Sequence, residues 1–226
     1  MHALLELGNL SAGKSVLIHT AASGGLGIAA IQLAQYVGAD VFITVGTPDE
    51  REFVKTTFGI CDERIIISRS TELGDQVSAA TGGRGVDVAL HSLVKYRLEE
   101  TFLTLADGGI MVVLGERDAL EHKQPPMAPF QRNCSIRVVD LSLTKASEAI
   151  ITRLFATLFG LLHGGAIKPV IPVHRFSWND IPAALRFLRT GTHLGKVVIA
   201  EDDDAGSSIE VPVNTFLGEP HFERLG

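Results

Sequence analysis

A glycine-rich turn is the feature of this sequence with the clearest chemical use. It reads Ala22-Ser23-Gly24-Gly25-Leu26-Gly27, follows the apolar run Val16–Ile18 and opens a segment of helical spacing. The small residues would let the backbone approach a pyrophosphate, whose charge would lie against N–H groups at the positive end of a helix dipole. Ala22 stands where the strict G-x-G-x-x-G pattern has its first glycine. We predict a dinucleotide site here; the alternative is that the glycines only form a tight turn.

The end of the second predicted strand bears on the choice of dinucleotide. It reads Val45-Gly46-Thr47, with no carboxylate at its tip. An NAD-preferring site usually places an acidic residue there, about 20 residues beyond the turn, to bind the ribose hydroxyl. The Thr47 hydroxyl and the Arg51 guanidinium suit a 2′-phosphate better, because Arg offers several donors to phosphate oxygens. NADPH is therefore the expected cofactor, although Asp49 and Glu50 lie close by and Arg51 could instead pair with a nearby acid.

These residues need a β-α-β framework, and the hydrophobic pattern predicts one. Apolar or β-branched runs alternate with segments of helical spacing, and several runs are apolar throughout, as in strands covered on both faces. We predict an α/β fold with a doubly wound parallel sheet of the Rossmann type. The predicted strands are Ser15–His19, Asp40–Val45, Arg64–Ile67, Val86–Leu90, Ile110–Leu114, Ile136–Leu141 and Lys196–Ala200, with an extended piece at Pro169–Val173. The predicted helices are Leu26–Val37, Asp49–Thr57, Glu72–Ala80, Tyr96–Leu105, Ser147–His163 and Asn179–Leu188.

The composition limits the number of domains and the kinds of partner molecule that we expect. The 226 residues are 46% hydrophobic, enough for a sizeable core. We predict one domain over residues 1–200 and an acidic linker or tail over 201–226. The net charge of −6, without a Lys/Arg cluster, argues against nucleic acid and membrane partners. Cys61 and Cys134 lack the paired spacing of a metal or disulfide site, so we expect no metal ion and a reducing, cytoplasmic setting.

Several motifs beyond the turn occur in a distinctive order. They are Gly13–His19 (GKSVLIH), Thr81–Val88 (TGGRGVDV), Ser92-Leu93, Met127–Asn133 (MAPFQRN) and Gly191–Val198 (GTHLGKVV). With the turn, they make the sequence resemble the enoyl reductase domains of polyketide and fatty acid synthases, which are zinc-independent, quinone-oxidoreductase-like members of the medium-chain dehydrogenase/reductase superfamily. The similarity spans roughly residues 1–200 and is closest in style to fungal highly reducing polyketide synthases.

The resemblance implies a reaction in polyketide biosynthesis. NADPH would give a hydride to the β-carbon of an α,β-unsaturated thioester on an acyl carrier protein, and a proton would reach the α-carbon. Other synthase domains would be partners, and a homodimer stays open. The implied cofactor contacts lie in the turn, after the second, third and fifth strands, and at the last strand: Ala22, Ser23, Gly24, Gly25, Leu26, Gly27, Thr47, Arg51, Arg69, Gly115, Gly195 and Lys196.

The proton-handling residues depart from the family pattern. The family places a Lys after the glycine of the fifth strand and an Asp at the end of the sixth; Asp140 matches the Asp, but Glu116 holds the Lys position. A carboxylate there opposes developing enolate charge unless it is protonated. His91, where the family usually has Asn, is a candidate replacement donor because its ordinary pKa lies near neutrality. The alternatives are structural roles for His91 and Asp140. Glu50 likewise replaces a common 2′-phosphate-binding Lys.

Two functions therefore stay open. Family members carry an N-terminal GroES-like substrate domain, whereas here one short predicted helix precedes the first strand, so we expect a piece of a longer synthase or a truncated reductase. One function is an NADPH-dependent enoyl reductase domain. The other is a catalytically degenerate remnant that serves as a structural or interaction module of a megasynthase. Short-chain reductase chemistry lacks support, because neither Tyr36 nor Tyr96 begins a Tyr-x-x-x-Lys motif.

Overall fold

A parallel β-sheet forms the centre of the chain. The computed structural model describes residues 1–19, 22, 24–67, 72–91, 98–114, 125–141, 145–191 and 193–200. Within these residues the strands are β1 (Ser15–Ile18), β2 (Asp40–Val45), β3 (Ile65–Ile67), β4 (Val86–His91), β5 (Leu105–Leu114) and β6 (Ser135–Val139). They form a six-stranded sheet in the order β3-β2-β1-β4-β5-β6, with every neighbouring pair parallel. This order confirms the predicted doubly wound, Rossmann-like fold.

Helices cover both faces of this sheet. They are α1 (Gly25–Tyr36), α2 (Pro48–Phe58), α3 (Leu73–Ala80), α4 (Leu98–Leu103), α5 (Ala128–Gln131) and α6 (Lys145–His163), and a widened helical turn at His2–Leu7 precedes them. Val16 and Ile18 of β1 pack into one buried cluster with Ile31 of α1. Leu17 points into the opposite cluster, where it is buried with Phe102 of α4. Burial on both faces is the reason that β1 is apolar throughout.

A second, smaller sheet follows the main one. It pairs β7 (Val173–Phe176) with β8 (Lys196–Ile199) in parallel, and α7 (Ile181–Thr190) connects them. The prediction of an extended piece ending at Val173 is wrong, because the strand begins there. Pro172 lacks an N–H group for the ladder, and its carbonyl accepts from Lys196 N at 2.9 Å just before the pairing starts.

The other helix and strand predictions hold to within a few residues, except at β5. Its pairing begins at Leu105, which lies opposite Val86, although Asp107-Gly108-Gly109 interrupts the apolar run. A register shift between Val86 and Val88 accommodates the interruption. The predicted tail, residues 201–226, lies outside the described residues. Within the described ranges, no helix has the length and apolar character needed to cross a membrane.

A polar cluster joins β1 and β4 at their amino ends. Asp87 accepts hydrogen bonds from the backbone N–H and the hydroxyl of Ser15, both at 2.8 Å, and forms an ion pair with Arg84. Burial alone would raise the pKa of Asp87, but the hydrogen bonds from Arg84 and Ser15 outweigh it and lower the pKa from 3.8 to about 2. The carboxylate therefore stabilises the central strand pair.

We expect Asp87→Asn to lower the free energy of unfolding by about 1 kcal/mol at neutral pH, a modest value because Arg84 is solvent-screened. Since the folded pKa is depressed, this contribution is present above pH 3.8 and is lost as the pH falls through about 2. Urea unfolding of both proteins across acidic pH measures the difference. Asp107→Asn, at an 84% exposed carboxylate, is the control. A wild-type advantage that persists unchanged at the lowest pH would contradict this account.

Candidate nucleotide-binding site

The carboxyl ends of β1 and β4 meet at the centre of the sheet. The chain builds β1, β2 and β3 toward one edge and then β4, β5 and β6 toward the other, so its path reverses between β1 and β4. In open α/β sheets, ligands bind in the crevice outside the carboxyl ends of the strands at this reversal. The glycine-rich turn, between β1 and α1, lies at this position.

The backbone of the turn has a shape that glycine permits. Gly24, the N-cap of α1, has φ 92° and ψ 163°, a combination that is essentially confined to glycine. A Cβ added there would have open space around it. The first turn of α1 carries no acidic side chain, so its positive end can attract an anion. Gly27 and Ala22 are buried, Ala22 in the apolar core, and Leu26 is half exposed.

The lysine at the start of β8 lies over Gly25, the first residue of α1. A Cβ on Gly25 would lie 2.6 Å from Cε of Lys196, so the lysine stem passes directly over the glycine. Gly195 is buried at φ 75°, and a Cβ there would overlap the backbone of Pro172. The packing of Gly195 against Pro172 thus places Lys196 over the turn. The structure places Gly24, Gly25, Gly195 and Lys196 near one another, and their role as cofactor contacts stays a prediction. Ser23, Arg69, Gly115 and Glu116 lie outside the described residues.

The tip of β2 differs from the sequence prediction. Glu50 folds back from the first turn of α2, and its Oε2 accepts a hydrogen bond from Gly46 N at 2.5 Å. Gly46 directly follows β2, and Glu50 is only 4% exposed. The prediction of a tip without a carboxylate is therefore wrong. The cause is a variant of the capping box. The Thr47 hydroxyl accepts from Glu50 N at 3.2 Å, while the Glu50 side chain accepts from Gly46 N, one residue before the N-cap.

Arg51 lies on the next position of α2 but is held by another partner. Its Nη2 forms an ion pair with Asp62 at 3.0 Å, and Lys55 binds the other oxygen of the same carboxylate at 2.6 Å. The alternative considered for Arg51, a helix charge paired with a nearby acid, is thus the arrangement in the structure. Binding a 2′-phosphate would require Arg51 to leave Asp62.

A buried polar network lies behind the crevice. The ring of His19, directly after β1, contacts Thr44 Oγ1 at 3.2 Å and Thr101 Oγ1 at 2.9 Å. Thr101 Oγ1 also lies 3.4 Å from Nδ1 of His91, and the two rings meet edge to face with centroids 5.6 Å apart. Since a hydroxyl has one proton, Thr101 donates to one ring at most, and at least one of the two imidazoles must donate to it. The tautomers of His19 and His91 are therefore coupled.

The two described candidates for proton handling occupy different environments. His91 is 1% exposed, and its ring is fixed by Thr101 and His19. Asp140 is exposed and directly follows β6, the edge strand. Next to these strand ends, an apolar cleft of about 540 Å³ is lined by Leu90, Leu114 and Val139 from three neighbouring strands. The catalytic roles of His91 and Asp140 remain predictions.

Comparison with protein families identifies the family of the chain. The family profile described as zinc-binding dehydrogenase matches residues 61–199. The chain belongs to the zinc-binding dehydrogenase family. In this family the Rossmann-like sheet is the part that binds a nicotinamide cofactor. Three features fit the pyrophosphate of such a cofactor. They are the open space around Gly24, the first turn of α1 without an acidic side chain, and the cation of Lys196.

The relatives of this family member are large polyketide synthases. A highly reducing polyketide synthase of Eupenicillium brefeldianum is 44% identical over 213 residues, a match that covers 94% of this chain and 9% of the synthase. The highly reducing polyketide synthase claI of Penicillium crustosum is 41% identical over 211 residues, with coverages of 93% and 9%. The chain therefore spans about one tenth of the length of these relatives.

Solved enoyl reductases share the fold. The CurK enoyl reductase has a TM-score of 0.74 at 30% identity, over 89% of this chain and 58% of that one. The nucleotide-binding subdomain of the enoylreductase domain of PpsC from Mycobacterium tuberculosis has a TM-score of 0.66 at 33% identity, over 74% of this chain and 92% of that one. These matches confirm the predicted resemblance to polyketide synthase enoyl reductases.

The zinc in the family description lacks a ligand set in the described ranges. No group of three or more His, Cys, Asp or Glu side chains there could hold a metal ion. Cys134 is buried and donates to the Ala106 carbonyl, whereas Cys61 is exposed. The residues that the structure describes therefore do not fit a zinc ion.

Sequence reasoning missed the roles of His19, Thr44 and Thr101, and the fold-back of Glu50. His19 carries a visible signal, since it is a polar residue at the end of an apolar strand and directly before the turn. Thr47-Pro48-Asp49-Glu50 also matches the capping-box pattern, which predicts that the Glu side chain returns to the helix start. Thr44 and Thr101 carry no such signal, because their contact with His19 joins residues far apart in the sequence.

We expect Gly24→Ala to abolish most nicotinamide nucleotide binding and to lower stability by about 2 kcal/mol, since the alanine cannot hold the Gly24 backbone conformation without strain. Gly13→Ala is the matched control: Gly13 has φ 79° and open space, but precedes β1 at the other end of the strand. It should lose stability and keep binding. Calorimetric titration with NADPH and NADH, together with thermal melts, measures both. Equal binding by the two variants would contradict the assignment of the turn.

We expect Thr101→Val to lower the free energy of unfolding by about 2 kcal/mol, because two buried imidazoles lose their shared hydroxyl. Thr101→Ser keeps the hydroxyl and should lose less than about 1 kcal/mol, the value of one methyl group. Guanidinium unfolding measures both variants. Similar losses in Val and Ser variants would show that packing of the methyl group, not the network, matters at this position.

Proposed function

We propose that the chain is the nucleotide-binding part of an NADPH-dependent enoyl reductase, which reduces an α,β-unsaturated acyl thioester during polyketide biosynthesis in the cytoplasm. The observation that carries the proposal is the glycine turn at the β1/β4 reversal with Lys196 above it. A remnant without a cofactor would need neither the backbone conformation at Gly24, which requires glycine, nor a lysine at that position. The alternative of a structural module is accordingly not favoured.

In the proposed reaction, bound NADPH would supply the hydride for the β-carbon of the enoyl thioester and would itself be oxidised. A proton would then be needed at the α-carbon to give the saturated thioester. The backbone N–H groups at the start of α1 and the Lys196 ammonium would hold the pyrophosphate. Gly27, buried in α1, would keep the helix close to β1.

The proton for the α-carbon needs a group near the strand ends. Among the described candidates, Asp140 is exposed and reaches solvent without rearrangement, whereas His91 is enclosed by Thr101 and His19. We therefore propose Asp140 as the group that exchanges protons with solvent and His91 as a residue that fixes the strand end. Glu116, at the family's Lys position, lies outside the described residues.

The apolar cleft supports an acyl substrate. It lies between α1, α6 and the amino-terminal helical turn, and it reaches the carboxyl-terminal parts of β4, β5 and β6. Its lining is almost wholly carbon. Such a surface suits an acyl chain and offers little to a charged substrate. An acyl carrier protein of the same synthase would deliver the thioester, and other synthase domains would supply the rest of the substrate cleft.

The test begins with binding, which needs only this chain. Calorimetric titration of the folded 226-residue chain with NADPH, and with NADH for comparison, should give saturable NADPH binding. The chain completed with an enoyl reductase substrate domain should then oxidise NADPH in the presence of a crotonyl thioester. Binding without turnover would limit the proposal to cofactor recognition. Failure of a folded sample to bind either nucleotide would favour the structural module.

A further inference from the structure

Glu50 brings a buried carboxylate to the tip of β2, next to the region where the two nicotinamide dinucleotides differ. In Rossmann-like sheets, the tip of the second strand meets the ribose of the adenosine half, which carries a 2′-hydroxyl in NADH and a 2′-phosphate in NADPH. Glu50 Oε2 is bonded to Gly46 N, directly beyond β2, and the side chain is almost completely buried. Its negative charge is therefore fixed at that tip.

Two local interactions keep the carboxylate there. Its hydrogen bond with Gly46 N–H compensates for burial, and its position in the first turn of α2 places it at the positive end of the helix dipole. The reciprocal bond from Glu50 N to Thr47 Oγ1 fixes the backbone from which the side chain projects. Glu50 is thus a pre-formed part of the strand-to-helix junction and does not need a ligand to order it.

This arrangement opposes a 2′-phosphate in two ways. The carboxylate repels the phosphate charge, and the repulsion is only partly screened because Glu50 is buried. The Gly46 N–H group, a natural donor to a phosphate oxygen, is already used by Glu50. A 2′-hydroxyl carries no charge, so the buried carboxylate does not repel it.

The neighbouring cations do not cancel this charge in the structure. Arg51 Nε and Nη2 both bind Oδ1 of Asp62, at 3.1 and 3.0 Å. Lys55 Nζ binds Oδ2 of Asp62. Asp62 lowers the positive potential that Arg51 and Lys55 would otherwise present along this edge of α2.

We propose that Glu50 is a specificity-determining residue of this site, one that weakens NADPH binding relative to NADH and reduces the preference for the phosphorylated dinucleotide. The inference rests on the proposed function, because it concerns how the same cofactor site chooses between its two ligands. Glu50 does not contact the reacting atoms, so its effect belongs to binding and not to the hydride transfer.

Glu50→Gln is the sharpest test, since the amide oxygen can still accept from Gly46 N while the charge is removed. Asp49→Asn is the matched control: it removes the same charge from the adjacent residue of α2, whose side chain is exposed. The 226-residue chain is titrated with NADPH and NADH. Adenosine 2′,5′-bisphosphate and AMP, which differ only in the 2′-phosphate, then report on the adenosine end alone. Thermal melts verify that each variant is folded.

The Glu50→Gln variant should raise the ratio of NADPH to NADH affinity about tenfold, with a similar change for the adenosine pair, and Asp49→Asn should change it less than about twofold. An unchanged ratio in a folded Glu50→Gln variant that still binds NADH would overturn the inference and leave the proposed function standing. Equal gains for both variants would also overturn it, because a general charge effect would then suffice. Binding of neither nucleotide by the wild-type chain would overturn both.

Discussion

The parallel pairing of β1 with β4 is the constraint on which the rest of the structure depends. Both strands are covered on two faces, so apolar side chains fill their middles and polar groups must lie at their ends. At the amino end, the Asp87 carboxylate accepts hydrogen bonds from the backbone N–H and the hydroxyl of Ser15. At the carboxyl end, His19 and His91 share Thr101, and the glycine turn opens beside them. The strand order therefore determines where the crevice for the cofactor lies.

The sequence carried enough information for the framework and for part of the site. Fully apolar strands such as β1, with a glycine turn after the first, predict the doubly wound sheet and its nucleotide turn because these features follow from short-range patterns. Resemblance to a family indicated Lys196 as a cofactor contact, whereas its position over Gly25 comes from the structure. Nothing local indicates it, since the contact with Gly25 joins residues 171 positions apart in the 226-residue sequence.

Two features near the end of β2 were not settled by the sequence. The carboxylate at the β2 tip comes from Glu50, three residues beyond Thr47, because the start of the helix returns its side chain to the strand end. For Arg51 the sequence left a 2′-phosphate and a nearby acid open as partners, and in the folded chain Asp62 pairs with its guanidinium. In both cases an acidic side chain occupies a donor that the sequence pattern had left available for a phosphate. Linear spacing does not reveal which acid a helix turn will bring to a given donor.

The contact between Lys196 and Gly25 also sets an order of assembly. During synthesis the chain emerges from its amino end, so all six strands of the main sheet are made before β8 exists. The sheet and its turn can form first, but the cation above the turn arrives only when Gly195 packs against Pro172. Among the described elements, the proposed pyrophosphate site is therefore completed by the strand that is made last. A shorter chain that ends before residue 195 would keep all six strands of the main sheet and lack the cation over Gly25.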